Sequence, residues 1–243
     1  MRASSAFLIV FGSAAVCAAG ASAATVNLVT AGSSGTVNGA LFETTDVRPA
    51  GTGVIRSFLR MQDNDGNEQG YNTSGRPLPF DENNSPQFTR NLQISELATR
   101  TVNGTAYYEF LLDTNEPNSA GNPEISLDQL KIFTSATGSQ TTTDINSLGT
   151  LRYDLDAGEN SVVRINDMNS GSGQADVRIL IPVAALAGAA PSDFLYLFAR
   201  FGDTDTAEGG FEEFAALTVI PLPSTAGLGM LGLAGLALRR RRR

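Results

Sequence analysis

The nonapeptide Thr105–Asp113, TAYYEFLLD, decides how the chain reads. Ala106, Tyr108, Phe110 and Leu112 fall on one face, while Tyr107, Glu109, Leu111 and Asp113 fall on the other. That alternation is the period of a β-strand. Asn103-Gly104, just upstream, is a strong tight-turn signal, so Leu92–Val102 is expected to pair with 105–113 as a hairpin. Working outward, short apolar runs recur at Gly53–Met61, Leu127–Phe133, Gly149–Asp154 and Ser161–Ile165, and again at Ala175–Ile181, Phe194–Phe201 and Phe214–Val219. Gly, Asn, Asp, Ser and Thr crowd the segments between them, which is turn chemistry punctuating strands. Val26–Gly39, small and polar, reads as an edge strand or a loose arm. Val183–Leu186 is expected to make a brief helical turn behind Pro182. The expected fold is all-β, an antiparallel β-sandwich over residues 24–218.

The two ends differ from this middle. Residues 1–23 have the zones of a secretion signal: Arg2, an apolar helix over Ala6–Ala19, and the small-x-small pattern Ala21-Ser22-Ala23. Signal peptidase is expected to leave Ala24 as the mature start. Cys17 is preceded by the β-branched Val16, which fits lipoprotein processing poorly, and it is expected to leave with the signal. Residues 219–243 run Val-Ile-Pro-Leu-Pro, then Ser224–Leu238 without a charge, then five arginines. The prolines stop the last strand. The uncharged run of 15 residues carries four glycines, where a membrane span needs roughly 20 apolar residues. A short C-terminal helix of this kind suits a transient inner-membrane anchor, with the arginine block held on the cytoplasmic side.

Composition excludes whole classes of chemistry. The chain has no histidine, no tryptophan and one cysteine, and that cysteine lies in the signal. Ser-His-Asp catalysis, Cys-His catalysis and the usual nitrogen–sulfur zinc sites are therefore absent from the mature domain. Setting aside Arg2 and the five tail arginines leaves 11 of the 17 basic residues against all 25 acidic ones, a balance of −14 where the whole chain has −8. Such a surface repels nucleic acid and anionic lipid and attracts divalent cations.

Pro221, Leu222, Pro223 and Arg239, Arg240, Arg241, Arg242 and Arg243 give the tail a recognisable form. It resembles the PEP-CTERM class of sorting signals, in particular its Val-Pro-Leu-Pro-like variants, with Leu222 where the commoner form has a glutamate. The domain is also similar to a group of proteins that carry this tail. The match lies in Glu68–Asn72, Asn83–Thr89, Glu109–Asp113 with Asn115–Pro117, Ser170–Gly173 leading into Asp176, and Gly210–Glu213. Relatives often place Trp after that last Glu-Glu pair, where this chain has Phe214. The resemblance implies recognition by an exosortase, a membrane-embedded cysteine transpeptidase, and delivery to the surface or exopolysaccharide matrix of a Gram-negative bacterium. It implies a structural or interaction protein rather than an enzyme, with a carbohydrate-binding module as the alternative.

Three acidic groups are candidates for a calcium ion, which takes six to eight oxygens. The first is the loop 63–68, with Asp63, Asp65 and Glu68; its glycine falls out of register for an EF-hand, and a solvated hairpin turn is the plainer reading. The second is Asp203, Asp205, Glu208, Glu212 and Glu213 around Gly209-Gly210. The third is Asp113 with Asn115 and Glu116 at a strand end. Any two of these groups are able to meet across a sandwich edge. Paired carboxylates also serve glycoside hydrolysis, but carboxylates so numerous discriminate nothing. Tyr71, Tyr107, Tyr108, Tyr153 and Tyr196 either stack on sugar rings, Tyr71 foremost, or face the core as strand aromatics usually do.

Overall fold

The computed structural model describes residues 23–46, 55–63, 66–116, 124–169, 171 and 173–219. The signal helix, Ala21, Asp65, the Pro221-Leu222-Pro223 motif, the apolar tail and Arg239–Arg243 lie outside the described residues. Fourteen strands are described: β1 Thr25–Leu28, β2 Ser34–Val37, β3 Ala40–Thr44, β4 Ser57–Met61, β5 Glu68–Tyr71, β6 Leu92–Gln93, β7 Thr99–Val102, β8 Thr105–Asp113, β9 Glu124–Ser135, β10 Thr150–Asp154, β11 Val162–Asn166, β12 Val177–Pro182, β13 Phe194–Phe201 and β14 Glu212–Ala216. They form two seven-stranded sheets. The first runs β1-β11-β9-β13-β5, with β10 also on β9 and β6 also on β13. The second runs β2-β3-β12-β8-β14-β4, with β7 also on β8. The fold is all-β, and among the described residues helical backbone is confined to short 3₁₀ turns, one of them the expected Val183–Leu186. None of the described helices is long and apolar enough to cross a membrane.

Local chemistry explains the clearest element. β8 covers the quoted nonapeptide, and β7 pairs with it from Thr99↔Tyr108 to Val102↔Thr105. Asn103 (φ 49°) and Gly104 (φ 82°) close the two-residue turn with the pair of positive φ angles that a type I′ hairpin demands. Asn38 (φ 48°) and Gly39 (φ 86°) repeat the device between β2 and β3.

Two expectations are corrected. Only Thr99–Val102 of the stretch 92–102 joins the hairpin; Leu92 and Gln93 pair instead with Leu195 and Phe194 in the other sheet. The 3₁₀ turn Ile94–Glu96 carries the chain across, with the Gln93 amide donating to Glu96 Oε1 at 2.8 Å. The arrangement is also not purely antiparallel, because β1 lies parallel to β11 from Thr25↔Val162 to Leu28↔Ile165. A hairpin forces neighbours to be antiparallel, and no hairpin joins these two strands, which are distant in sequence. Ala24, the expected mature start, is already tied to β11: its carbonyl accepts the Val162 amide at 2.9 Å.

One apolar cluster draws on both sheets, with Leu28, Leu127, Leu197 and Phe201 from the first and Phe42, Phe58, Phe110 and Phe214 from the second. Burying each such side chain is worth about 1.5–3 kcal/mol, so this shared core is what holds the sheets together. A second cluster, Tyr71, Phe133, Leu148, Tyr196 and Phe198, is covered by Phe80, Ile145 and Phe194.

Candidate carboxylate site

Loops 62–68 and 202–212 and the end of β8 converge at one place, and short-range contacts explain why. The Ala207 amide donates to Gly66 O at 3.1 Å, and Gln62 Nε2 donates to Gly209 O at 2.7 Å. Asn115 Nδ2 reaches Phe211 O at 3.0 Å. Gly202 (φ 96°) and Gly210 both run where a Cβ would overlap a neighbouring carbonyl, of Gly66 and Asn115 respectively. Asp128 pins the turn after β13, accepting from the Asp203 amide at 2.8 Å and from Thr204 Oγ1 at 2.8 Å.

This convergence gathers one carboxylate from each of the three acidic groups seen in the sequence: Glu68, Glu116 and Glu212. Glu68 opens β5 of the first sheet, and Glu212 opens β14 of the second. All three are buried, Glu212 completely. Glu68 Oε2 accepts the Asp63 amide at 3.1 Å, and Glu116 Oε2 accepts the Glu208 amide at 2.8 Å. Their Oε1 atoms, and both oxygens of Glu212, lie buried without a hydrogen-bond partner. Glu68 and Glu212 face each other closely enough to share a proton. The Asn115 amide approaches Glu212 but stays outside hydrogen-bond geometry.

Burial, the largest cause for each, raises all three carboxyls: Glu116 to about 7, and Glu68 and Glu212 upward, Glu212 strongly. For Glu68 the hydrogen bond with the Glu212 carboxyl, and then that from the Asp63 amide, oppose the shift; for Glu116 the Glu208 amide does, and charged carboxylates nearby reinforce the rise in all three. A cleft of about 60 Å³, lined by Asn67, Glu68, Gln69, Asp81 and Arg200, opens beside Glu68. Among the described residues, no three carboxylates are already drawn up at metal-ligand spacing.

A second acidic group adjoins the first, and Asp167, which sequence reasoning missed, links them. Asp167 Oδ2 accepts the Glu116 amide at 3.1 Å, leaving Oδ1 buried and unpartnered. Asp113 accepts the Gly173 amide on Oδ2 and leaves Oδ1 likewise. Burial, together with Asp176, Glu213 and Asp167, pushes Asp113 up to about 8 against the Gly173 hydrogen bond. Asp176 uses both oxygens, on Thr114 and on the Met168 and Asn169 amides, and burial still raises it to about 6. The only sequence signal for Asp167 and Asp176 is their place around the Gly- and Ser-rich stretch 170–173.

The other predicted residues lie elsewhere. Asp205 forms a two-pronged ion pair with Arg164, at 2.6 and 2.9 Å. Asp203 Oδ1 accepts from Arg200 Nη2 at 2.7 Å and Asn67 Nδ2 at 3.1 Å. Loop 63–68 is not a hairpin, because β4 and β5 belong to different sheets. Tyr71 is fully buried; its hydroxyl donates to Thr142 O at 2.9 Å and its ring meets Tyr196 edge-on at 5.9 Å. It is a core residue with no face turned to a sugar, and Tyr153 and Tyr196 are buried too.

A separate groove of about 760 Å³ is lined by Ile55, Arg56, Pro86, Gln87, Phe88 and Arg90 among others. No family model matches the chain, and neither a curated protein nor a solved structure matches it.

Proposed function

We propose that this chain is an exported, non-enzymatic structural or interaction protein, an antiparallel β-sandwich in its main plan, sorted through its C-terminal tail. Signal peptidase removes residues 1–23. The short apolar helix then holds the chain in the inner membrane until an exosortase-type transpeptidase processes it near Pro221-Leu222-Pro223. The product joins the outer surface or the exopolysaccharide matrix.

The observation that carries this reading is the boundary at Val219. Thr218 bridges to Leu97, and the Val219 amide donates to Glu96 O at 2.9 Å. The hydrogen-bonded body therefore reaches to within two residues of Pro221, so cleavage beyond the motif leaves every one of these contacts intact. The test is the intact mass of the secreted protein from cells with and without such a transpeptidase. A mass lacking both ends only when the transpeptidase is present is expected. A secreted product that retains Ser224–Arg243 in both strains sinks the proposal and makes the tail a plain anchor.

The Arg56–Arg90 groove favours a second reading, binding of an acidic exopolysaccharide. Guanidinium groups suit sugar carboxylates as bidentate donors; Arg56 and Arg90 share this groove, where Glu96 stands 3.5 Å from Arg90 as the contact a sugar carboxylate would have to replace. Retention on a uronic-acid polymer but not a neutral glucan, abolished in Arg56→Ala/Arg90→Ala, supports it; equal retention of that double variant removes it.

A further inference from the structure

We propose that Glu68, Glu116 and Glu212 form a site for one hard divalent cation, calcium by its chemistry, clamped between the ends of the two sheets. Glu212 carries the argument: its carboxyl is completely buried, faces the Glu68 carboxyl closely enough to share a proton, and neither of its oxygens accepts a hydrogen bond from a described amide, hydroxyl or basic side chain. An ionised carboxylate taken out of water needs a counter-charge, a full set of donors or a proton. Among the described residues none of the three is ion-paired with a basic side chain, although Arg200 lines the cleft beside Glu68, and Glu212 accepts no donor hydrogen bond. Glu68 and Glu116 repeat the pattern in a milder form. Each is anchored through one oxygen to a backbone amide and holds the other buried and unpartnered.

Anchoring one oxygen and presenting the other fixes a carboxylate as a monodentate ligand, and Glu212 is left to bind through two. Together the trio offers four oxygens; calcium completes its six to eight with water and carbonyls. The cleft of about 60 Å³ beside Glu68 admits water to that end of the trio. Glu68 and Glu212 already face each other, and Glu116 is the member that closes on binding. Because the trio joins β5 of one sheet to β14 of the other and to the chain after β8, the ion acts as a rivet at that end of the fold. This inference stands apart from the sorting reading, since it concerns only the folded body.

The test uses the secreted protein, stripped with EDTA and titrated with calcium chloride at pH 7.5. One ion per chain is expected by calorimetry. The melting temperature should rise by about 5–11 °C at a hundredfold excess over Kd. Glu212→Gln and Glu116→Gln should each abolish the rise, while Asp203→Asn, outside the trio, should keep it. Glu212→Gln should melt no lower than wild type in EDTA, because the amide keeps the shape and adds no buried charge; that result separates loss of a ligand from loss of fold. No calcium-dependent shift in wild type overturns the proposal, and so does an undiminished shift in both glutamine variants.

Discussion

Arg178 on β12 is the centre of a charge ladder that crosses four neighbouring strands. Its Nη1 donates to Glu43 Oε1 on β3 at 2.7 Å and its Nε to Glu109 Oε1 on β8 at 3.1 Å; Arg100 on β7 then reaches Glu109 Oε2 at 3.1 Å. The two arginines hold the same glutamate in different surroundings. Arg178 is 14% exposed and Glu109 6%, whereas Arg100 is 45% exposed. Breaking a buried pair by removing one partner costs about 3–5 kcal/mol, while an exposed pair contributes about 0.2–1 kcal/mol. Arg178→Met should therefore cost about 3 kcal/mol, at the low end because Arg100 remains. In a body of this size that is a fall in Tm of about 6–12 °C. Arg100→Ala should cost about 0.5 kcal/mol. The double variant Arg178→Met/Glu109→Leu should recover most of the loss, because no buried charge is then abandoned. Urea denaturation at 0.15 M salt, followed by circular dichroism, measures all three. A cost under about 1 kcal/mol for Arg178→Met, or simple additivity in the double variant, refutes the reasoning.

Three further outcomes follow from single residues. Gly210→Ala drives a Cβ into the Asn115 carbonyl, which is backbone and unable to rotate away; thermal melts should show a loss of about 3 kcal/mol or more. Gly104→Ala meets nothing within 4 Å, so its cost is the left-handed backbone alone, about 1–2 kcal/mol, and an unchanged Tm would show the turn had rearranged. In EDTA, stability should fall as pH rises from about 5.5 to 8. Asp113 moves from 3.8 unfolded to about 8 folded, and Asp176 from 3.8 to about 6, so the folded state holds protons that the unfolded chain has released. That stability is present at the acid end and lost through those folded values. Asp113→Asn should flatten the slope, and a Tm that rises over this range in EDTA contradicts the assignment.

The strands were legible where one face is buried and turn chemistry is strong. TAYYEFLLD and Phe194–Phe201 appear with the boundaries their sequence suggests, and Asn103-Gly104 turns as its dipeptide demands. Asn38-Gly39 carried the same signal inside a stretch read as an edge strand or loose arm, where small polar residues masked β2 and β3. Sheet membership was not legible. Leu92 and Thr99 lie seven residues apart yet belong to different sheets, because a 3₁₀ turn leaves no periodic trace that long. The alternation of β8 also misled on polarity. Glu109 and Asp113 lie on its second face and are buried nonetheless, one beneath two arginines and the other beneath the Gly173 loop. All three acidic groups were visible, but only topology chooses one carboxylate from each.

The acidity of the body divides by what each carboxylate meets. Asp154, Asp205 and Glu109 are neutralised by Lys131, Arg164 and Arg178. Glu82 and Asp176 spend their charge on backbone amides. Neither use makes the fold depend on a solute. Asp113 and Asp167 each leave one buried oxygen unmet, but Glu68, Glu116 and Glu212 gather four such oxygens between the two sheets, and a proton or a cation relieves them. A protonated trio would be indifferent to calcium; a ligated trio ties the joining of the two sheets at this end to the calcium concentration. Extracellular modules bind calcium at about 10⁻⁴–10⁻³ M, and this site offers three carboxylates but few fixed neutral donors. The calcium dependence of Tm at pH 7.5 should therefore have its midpoint in that millimolar to submillimolar range, and Glu116→Gln should move it upward beyond reach. A midpoint at micromolar calcium would mean a rigid, fully formed cage, which contradicts a trio whose third member must close on the ion.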